Sequence, residues 1–473
     1  MEKAWITNYK RYRRSVAQTD AQGYPQEDRQ LPDIDKENRV FRITGNYVFG
    51  PALNGFVLWV LKNAMRSGKQ RLYFLARDGY LMYRAAAIYV EKLSLPIECR
   101  YLYCSRYSLR LPVLHLDQEE AMEYICRDSI GVTLERIMDR AGLTEEEQSL
   151  VLDEISETGR AQEMIPHASM EKLKQKLRRS AAFSKALDTH SREALPSLTG
   201  YLRQEGLMED KKAALVDSGW VGSMQKTLNS VLEYMGSSRR LEGYYWGLYE
   251  LPAGAAREEY HCYYFAPEGQ LREKVWFNNN LFETVFSAPH GMTAGYEERD
   301  GKYEPVCVPV PGEQRRRMEK LERVLTGYIR READSLRNID HVDCRKERQA
   351  VRPVIMQLMG NPAREEAEIY GRMSFCDDVL EHARRPLAKV LDENGLRANH
   401  ALRKILVLTG ICRGERKESA WYEGSAVLGS ERPGRHLFQY RIYKYLLYMR
   451  QMCKWRKKDV QKNIQIHKGR EKN

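Results

Sequence analysis

No run in this 473-residue chain approaches the roughly 20 consecutive apolar residues of a membrane span, and the longest candidates are short stretches such as 405–412. A helical crossing of a bilayer is therefore not expected. Met1 to Val16 carry charges and aromatics but lack the continuous apolar centre of a secretory signal, so export is not expected either. Cysteine is sparse and unpatterned: nine residues, at 99, 104, 126, 262, 307, 344, 376, 412 and 453, form no CxxC pair and no His/Cys group at metal-ligand spacing. That argues against a disulfide framework or a zinc site and for reduced thiols in a cytoplasmic protein. Internal repeats are absent, and the only biased tract is the basic tail. The body also lacks net charge. From Glu431 to Asn473 there are 13 Lys and Arg against 3 Asp and Glu, a surplus of 10 within the total of +12. The first 430 residues are thus nearly neutral, which excludes a basic nucleic-acid platform.

What remains is a composition of 42% hydrophobic and 30% charged residues, that of a globular protein large enough for one or two domains. Tyr47 to Met65 has helical spacing and leads through Ser67-Gly68 into a short β-rich run, Arg71 to Ala76. Arg77-Asp78-Gly79 follows, and then a helix from Tyr80 to Leu93. Another strand is expected at Glu98 to Cys104, ending in Ser105-Arg106-Tyr107. From about 116 to 206 the sequence is charged and helical, with start signals such as Thr144 before Glu145-Glu146-Glu147. Ala213 to Val216 then reads as a buried strand, followed by the loop Asp217-Ser218-Gly219-Trp220-Val221-Gly222-Ser223 and a helix from Met224 to Tyr234. Further strands are expected at Glu242 to Tyr249 and Tyr260 to Phe265. This is an α/β sheet core, 46–310, with a helical insertion at about 116–206; residues 1–45 form an extension, 311–430 a helical region completing the domain, and 431–473 a basic amphipathic tail.

Two glycines shortly after a buried strand let backbone N–H groups converge on an anion, so the Asp217–Ser223 loop has the makings of a phosphate cradle. Ser218, Gly219, Trp220, Gly222 and Ser223 belong to it, and Asp217 is placed to bind sugar hydroxyls or magnesium. An ordinary βα turn explains the same letters. Arg77-Asp78-Gly79 lies at the carboxyl end of another strand, where ligands bind in open α/β sheets; Arg77 suits a diphosphate and Asp78 a hydroxyl-orienting group or base, a reading slightly ahead of a helix-capping pair, which explains the same letters. Ser105, Arg106 and Arg110 are further phosphate candidates. Glu283 and His290, within the apolar stretch 281–291, read most simply as a helix-surface acid and a satisfied turn histidine. Trp421 to Ser425 is an aromatic and small-residue turn that contacts a sugar or simply packs. In the tail, Phe438, Ile442, Tyr445, Met449 and Met452 make one helical stripe with Arg441, Lys444, Arg450 and Lys454 around it; an anionic membrane surface and an ordinary core helix are both open readings.

Six ordered blocks resemble the carboxyl-terminal half of the dual-domain bacterial ribofuranosyltransferases: Gly50-Pro51 with Phe56 to Trp59, Tyr73 to Tyr80, Tyr101 to Arg106, Val216 to Gln225, Glu283 to Gly291, and Trp421 to Ser425. The resemblance implies a Rossmann-like or phosphoribosyltransferase-like sheet with large helical additions, and a glycan phosphoribosyltransferase. Such an enzyme moves 5-phosphoribosyl from phosphoribosyl diphosphate to a lipid-linked glycan in surface polysaccharide synthesis, and a separate phosphatase acts afterwards. It implies that Arg77, Asp78, Arg106, Asp217, Gly219, Gly222, Ser223, Glu283 and His290 surround the donor, with Gly79 and Ser105 nearby. The reaction needs cationic and magnesium stabilisation of the departing diphosphate and a base for the acceptor hydroxyl. Asp78, Asp217, Glu283 and His290 are the catalytic candidates, and Asp217 is the magnesium ligand. The phosphatase half of those relatives needs an Asp-x-Asp pair after its first strand, and neither Ala76-Arg77-Asp78-Gly79 nor Val216-Asp217-Ser218-Gly219 supplies one. A non-catalytic scaffold is the rival expectation.

Overall fold

A computed structural model describes residues 3–22, 33–127, 132–166, 169–376, 380, 384–408 and 419–470, with side chains omitted at 16–22, 33–34, 407–408 and 457–470. Its centre is a five-stranded, all-parallel sheet: β1 (Arg71–Leu75), β2 (Glu98–Leu102), β3 (Ala213–Trp220), β4 (Glu242–Leu248) and β5 (Tyr260–Phe265), in the order β2-β1-β3-β4-β5. The α/β expectation is thus met.

Every residue of β1 is buried, as expected when both faces of a parallel sheet are covered. Period-two alternation divides the faces. Leu72, Phe74, Ala214 and Val216 enter one core with the helices Gly50–Arg66 and Gly79–Leu93. Tyr73, Leu75 and Leu215 enter another, with Leu198 and Tyr201 of the helix Ala181–Gln204 and Leu228 and Val231 of the helix Ser223–Tyr234. The buried Arg71 is matched at the amino edge by Glu98, Glu209, the Tyr73 hydroxyl and the Gly206 carbonyl.

Between β2 and β3 the chain runs through a series of helices with a hydrophobic cluster of their own around Ile125, Ile137, Val151, Leu177 and Phe183. Thr144 caps one of them in a capping box with Glu147. After β5 comes the helix Asn279–Phe286, and then a hairpin that periodicity did not announce, β6 (Thr293–Arg299) and β7 (Lys302–Cys307).

Two expectations need correction. Asp217 to Trp220 are not loop: they continue β3, with Asp217 opposite Tyr245 and Trp220 opposite Leu248. Only Val221 and Gly222 separate strand from helix. The Trp421–Ser425 segment is not an open turn either. Trp421 is fully buried, donates from Nε1 to the Met359 carbonyl, and precedes the helix Tyr422–Gly429.

Candidate active site

β1 leads outward to β2 and the chain returns to place β3 on the other side of β1, so the strand order reverses between β1 and β3. Diverging connections leave a crevice at the carboxyl edge of such a switch point. A cavity of about 390 Å³ lies there, walled by Ala76 to Asp78 after β1, Cys104 to Tyr107 after β2, Asp217 to Val221 at the end of β3, and Ser223, Met224, Asn280 and Glu283.

Three carboxyl groups converge on it. Ser218 Oγ donates to Asp78 Oδ2 at 2.6 Å. Trp220 Nε1 donates to Glu283, turning that side chain from the helix Asn279–Phe286 toward the crevice. Burial raises Asp78 above the ordinary carboxylate range, against the Ser218 bond and the charges of Arg77 and Arg106. Asp217 is pushed up to about 7, first by burial and then by the charge on Asp78; the N–H groups of Ser218 and Gly219 and the Arg106 guanidinium oppose the shift. Glu283 rises to about 8, again by burial and then Asp78, with Arg106, Trp220 and Arg77 opposing. Burial first, and the charge on Asp78 second, thus favour the protonated forms of Asp217 and Glu283.

Of the residues singled out from sequence, Asp78, Asp217, Glu283, Arg77, Ser105, Arg106, Ser218, Gly219, Trp220 and Ser223 all line the cavity. Ser105 also serves the backbone: its Oγ accepts from Ser108 N and donates to the Thr293 carbonyl. Gly79, Gly222 and His290 are not among the lining residues. Gly79 sits against Phe74 at the start of its helix. Gly222 caps the helix Ser223–Tyr234 at φ +68°, where a Cβ would lie 2.7 Å from the Tyr260 ring. His290 is held in an aromatic group. Its Nδ1 donates to the Gly291 carbonyl at 2.8 Å, its Nε2 accepts from the Tyr101 hydroxyl at 2.8 Å, and its ring lies 4.7 Å from that of Tyr103. Both ring nitrogens are thus hydrogen-bonded, and His290 stands outside the cavity wall in this geometry.

Sequence reasoning missed Arg127, Asn279, Asn280, Phe375 and Cys376 in the wall. The Asn278-Asn279-Asn280 run did carry a signal, because Asn278 is the N-cap that accepts from Leu281 N and so places its neighbours at the helix mouth. Nothing local marks the others.

Among the described residues, no three His, Cys, Asp or Glu side chains are grouped closely enough to form an all-protein metal cage. Asp217, next to the charge of Asp78, is instead the residue that would hold a cation completed by water and ligand phosphates, the usual arrangement for magnesium. No family model matches the sequence, and no curated protein matches it.

Proposed function

We propose that this chain is a glycan phosphoribosyltransferase, transferring 5-phosphoribosyl from phosphoribosyl diphosphate to a glycan hydroxyl in bacterial surface polysaccharide synthesis. The observation that carries the reading is the meeting of Asp78, Asp217 and Glu283 with Arg77 and Arg106 in one switch-point cavity. The family resemblance drawn from six sequence blocks points to the same chemistry. Arg77 and Arg106 hold the diphosphate while the bond from the ribose anomeric carbon to its oxygen breaks and a bond to the acceptor oxygen forms. Asp78, hydrogen-bonded to Ser218 and flanked by both arginines, takes the acceptor proton. Glu283 is neutral at pH 7 and has a proton to donate to a ribose hydroxyl. Magnesium at Asp217 would add positive charge beside the leaving group. The 5-phosphate goes to the backbone amides where β3 meets the helix Ser223–Tyr234.

The carboxyl-terminal helix, Pro433–Arg470, supports peripheral binding at the inner face of the membrane, where a lipid-linked acceptor is presented. Phe438, Ile442, Tyr445, Leu446 and Met449 stand exposed on its outer side. Arg441 and Lys444 do not flank that stripe as the sequence suggested. They turn inward, Arg441 over the Trp276 ring at 3.8 Å and Lys444 to Glu423 and the Phe277 carbonyl. Arg450, Lys454 and Arg456 remain on the surface, while the Lys457 and Lys458 side chains lie outside the described residues. No helix among the described residues is long and apolar enough to cross a membrane.

The decisive assay combines purified protein, phosphoribosyl diphosphate, magnesium and a synthetic or lipid-linked glycan, with the product read by mass spectrometry. Addition of phosphoribose is expected. Intact donor beside unmodified acceptor, across a panel of glycans and with donor binding shown by calorimetry, would leave a binding module instead.

A further inference from the structure

A second cleft, of about 710 Å³, adjoins the cavity and shares Arg127 with it. The helices between β2 and β3 form most of its wall, with Lys226 supplied by the helix Ser223–Tyr234. Its charges are unevenly matched. Lys174 is paired with Glu123, and Lys226 lies 3.5 Å from Glu120. Arg110 and Arg127, by contrast, form no ion pair with a carboxylate among the described residues, although the Glu120 charge is felt at Arg110. Arg110 rests over the Tyr124 ring at 4.6 Å. The Tyr124 hydroxyl is buried, makes no hydrogen bond, and feels the charges of Arg110, Arg106, Arg140 and Arg127 together.

Guanidinium groups crowded this closely repel one another. Burial pulls Arg110 below its ordinary value, with Arg127 and Arg106 adding to the effect, whereas the Tyr124 and Glu120 charges oppose it. A multivalent anion relieves both penalties, and planar guanidinium pairs bind phosphate oxygens in forks. The position favours a ligand other than the donor, because Arg110 lines only the side cleft and the main cavity has arginines of its own in Arg77 and Arg106.

We infer that the cleft around Arg110, Arg127 and Tyr124 is a second diphosphate site, separate from the donor cavity and occupied by the diphosphate of the acceptor. The assignment to the acceptor rests on the transferase reading; the anion site itself does not. An acceptor bound here enters from the side of the helical insertion, with Arg127 at the junction of its anionic end and the reaction cavity.

Calorimetry on the full chain separates the two possible sources of diphosphate. Inorganic pyrophosphate and a short alkyl diphosphate are titrated with and without saturating phosphoribosyl diphosphate. The alkyl diphosphate is expected to bind in the presence of donor, Arg110→Gln to weaken it about tenfold or more while leaving donor affinity unchanged, and the exposed Arg127→Gln, at a residue shared with the donor cavity, to weaken it as well. Arg110→Lys, which keeps the charge over Tyr124, is expected to restore part of the loss. Unaltered alkyl diphosphate affinity in both folded Gln variants would overturn the site, as would complete displacement of the alkyl diphosphate by donor. Failure of the donor to bind, with Arg110-dependent alkyl diphosphate binding intact, would remove the transferase reading and keep the cleft.

Discussion

The two halves of the same sheet edge have opposite fates. Where β1, β2 and β3 end, the chain presents Arg77, Asp78, Arg106 and Asp217 to a cavity. Where β4 and β5 end, aromatic rings close the edge: Trp220, Tyr249, Phe265 and Phe277 pack together, and Tyr448 of the carboxyl-terminal helix stacks on Tyr249 at 4.9 Å. All five strands are parallel, and beyond an irregularity in register between Tyr245 and Gly247 in the β4–β5 pair, the two sides differ in connectivity. Chain paths diverge at the switch between β1 and β3 and leave space, whereas β3, β4 and β5 follow in order and their connections seal over. Trp220 belongs to both halves, its ring among the sealed aromatics and its N–H on Glu283. The packed half thereby sets the angle of an acid in the open half.

That division predicts stability losses on one side and chemical losses on the other. The largest effect is expected from Trp246→Ala in β4, where a fully buried ring touching Phe282 at 4.8 Å and Tyr264 at 5.0 Å is lost. A destabilisation of about 3–5 kcal/mol is expected in denaturant melts, in keeping with other buried Trp deletions. A loss below about 1 kcal/mol would show that the sealed half is not a rigid core. Asp78→Asn, by contrast, should leave the melt nearly unchanged and lower turnover roughly 100-fold or more, the scale of a general base. Near-normal turnover with intact folding would favour the scaffold reading. Glu283→Gln comes next and separates the halves by pH. Because its folded pKa is raised to about 8, Glu283 ionises at lower pH when unfolded, so its contribution is full below about pH 4.5 and fades as pH rises toward 8. Wild-type thermal stability should fall across that window, at most about 1.4 kcal/mol per pH unit from this group, and the Gln variant should fall less. Parallel curves for the two proteins would mean that Glu283 is hydrated and unshifted.

Strands that combine a buried run with a flanking helix were legible from sequence, since periodicity and apolar content report burial directly. β5 falls at Tyr260–Phe265 as read, and β1 differs by a single residue. The limits of β3 were not legible, because glycine was read as loop. Gly219 instead marks a close approach between strands: at φ +112° its missing Cβ would lie 2.4 Å from the Gly247 carbonyl. The β6–β7 hairpin has a local signature in Asp300-Gly301, both at positive φ, as two-residue turns require, but its strands are mostly half-buried or exposed, so hydrophobic content does not mark them. Site residues divide in the same way. Asp78 just after β1 and Asp217 within the buried run of β3 declare themselves, whereas the direction of Glu283 depends on Trp220 and the placement of His290 on Tyr101 and Gly291. Contacts so distant in sequence leave no periodic trace.

The smallest effect concerns a second contrast, between the inner and outer sides of the helix Pro433–Arg470. Its inner side combines both kinds of contact: Lys444 pairs with Glu423 and Arg441 stacks on Trp276, while Leu437 is buried and Tyr448 stacks on Tyr249. The outer side carries Phe438 at 60%, Tyr445 at 48% and Met449 at 40% exposure. Such a stripe beside Arg450, Lys454 and Arg456 suits the interface of an anionic bilayer, where each nearby basic residue contributes about 1 kcal/mol. Replacing Phe438 and Met449 with Ser removes apolar surface that makes little contact with the body, so folding and transfer to a soluble acceptor should survive. Co-sedimentation with anionic vesicles should fall, and removal of residues 454–473 should lower it further and make it less sensitive to salt, since screening acts only on the charge component. Equal binding of the intact chain to anionic and neutral vesicles would show that charge has no part. Binding unmoved by the double Ser variant would show that the stripe is not the contact surface.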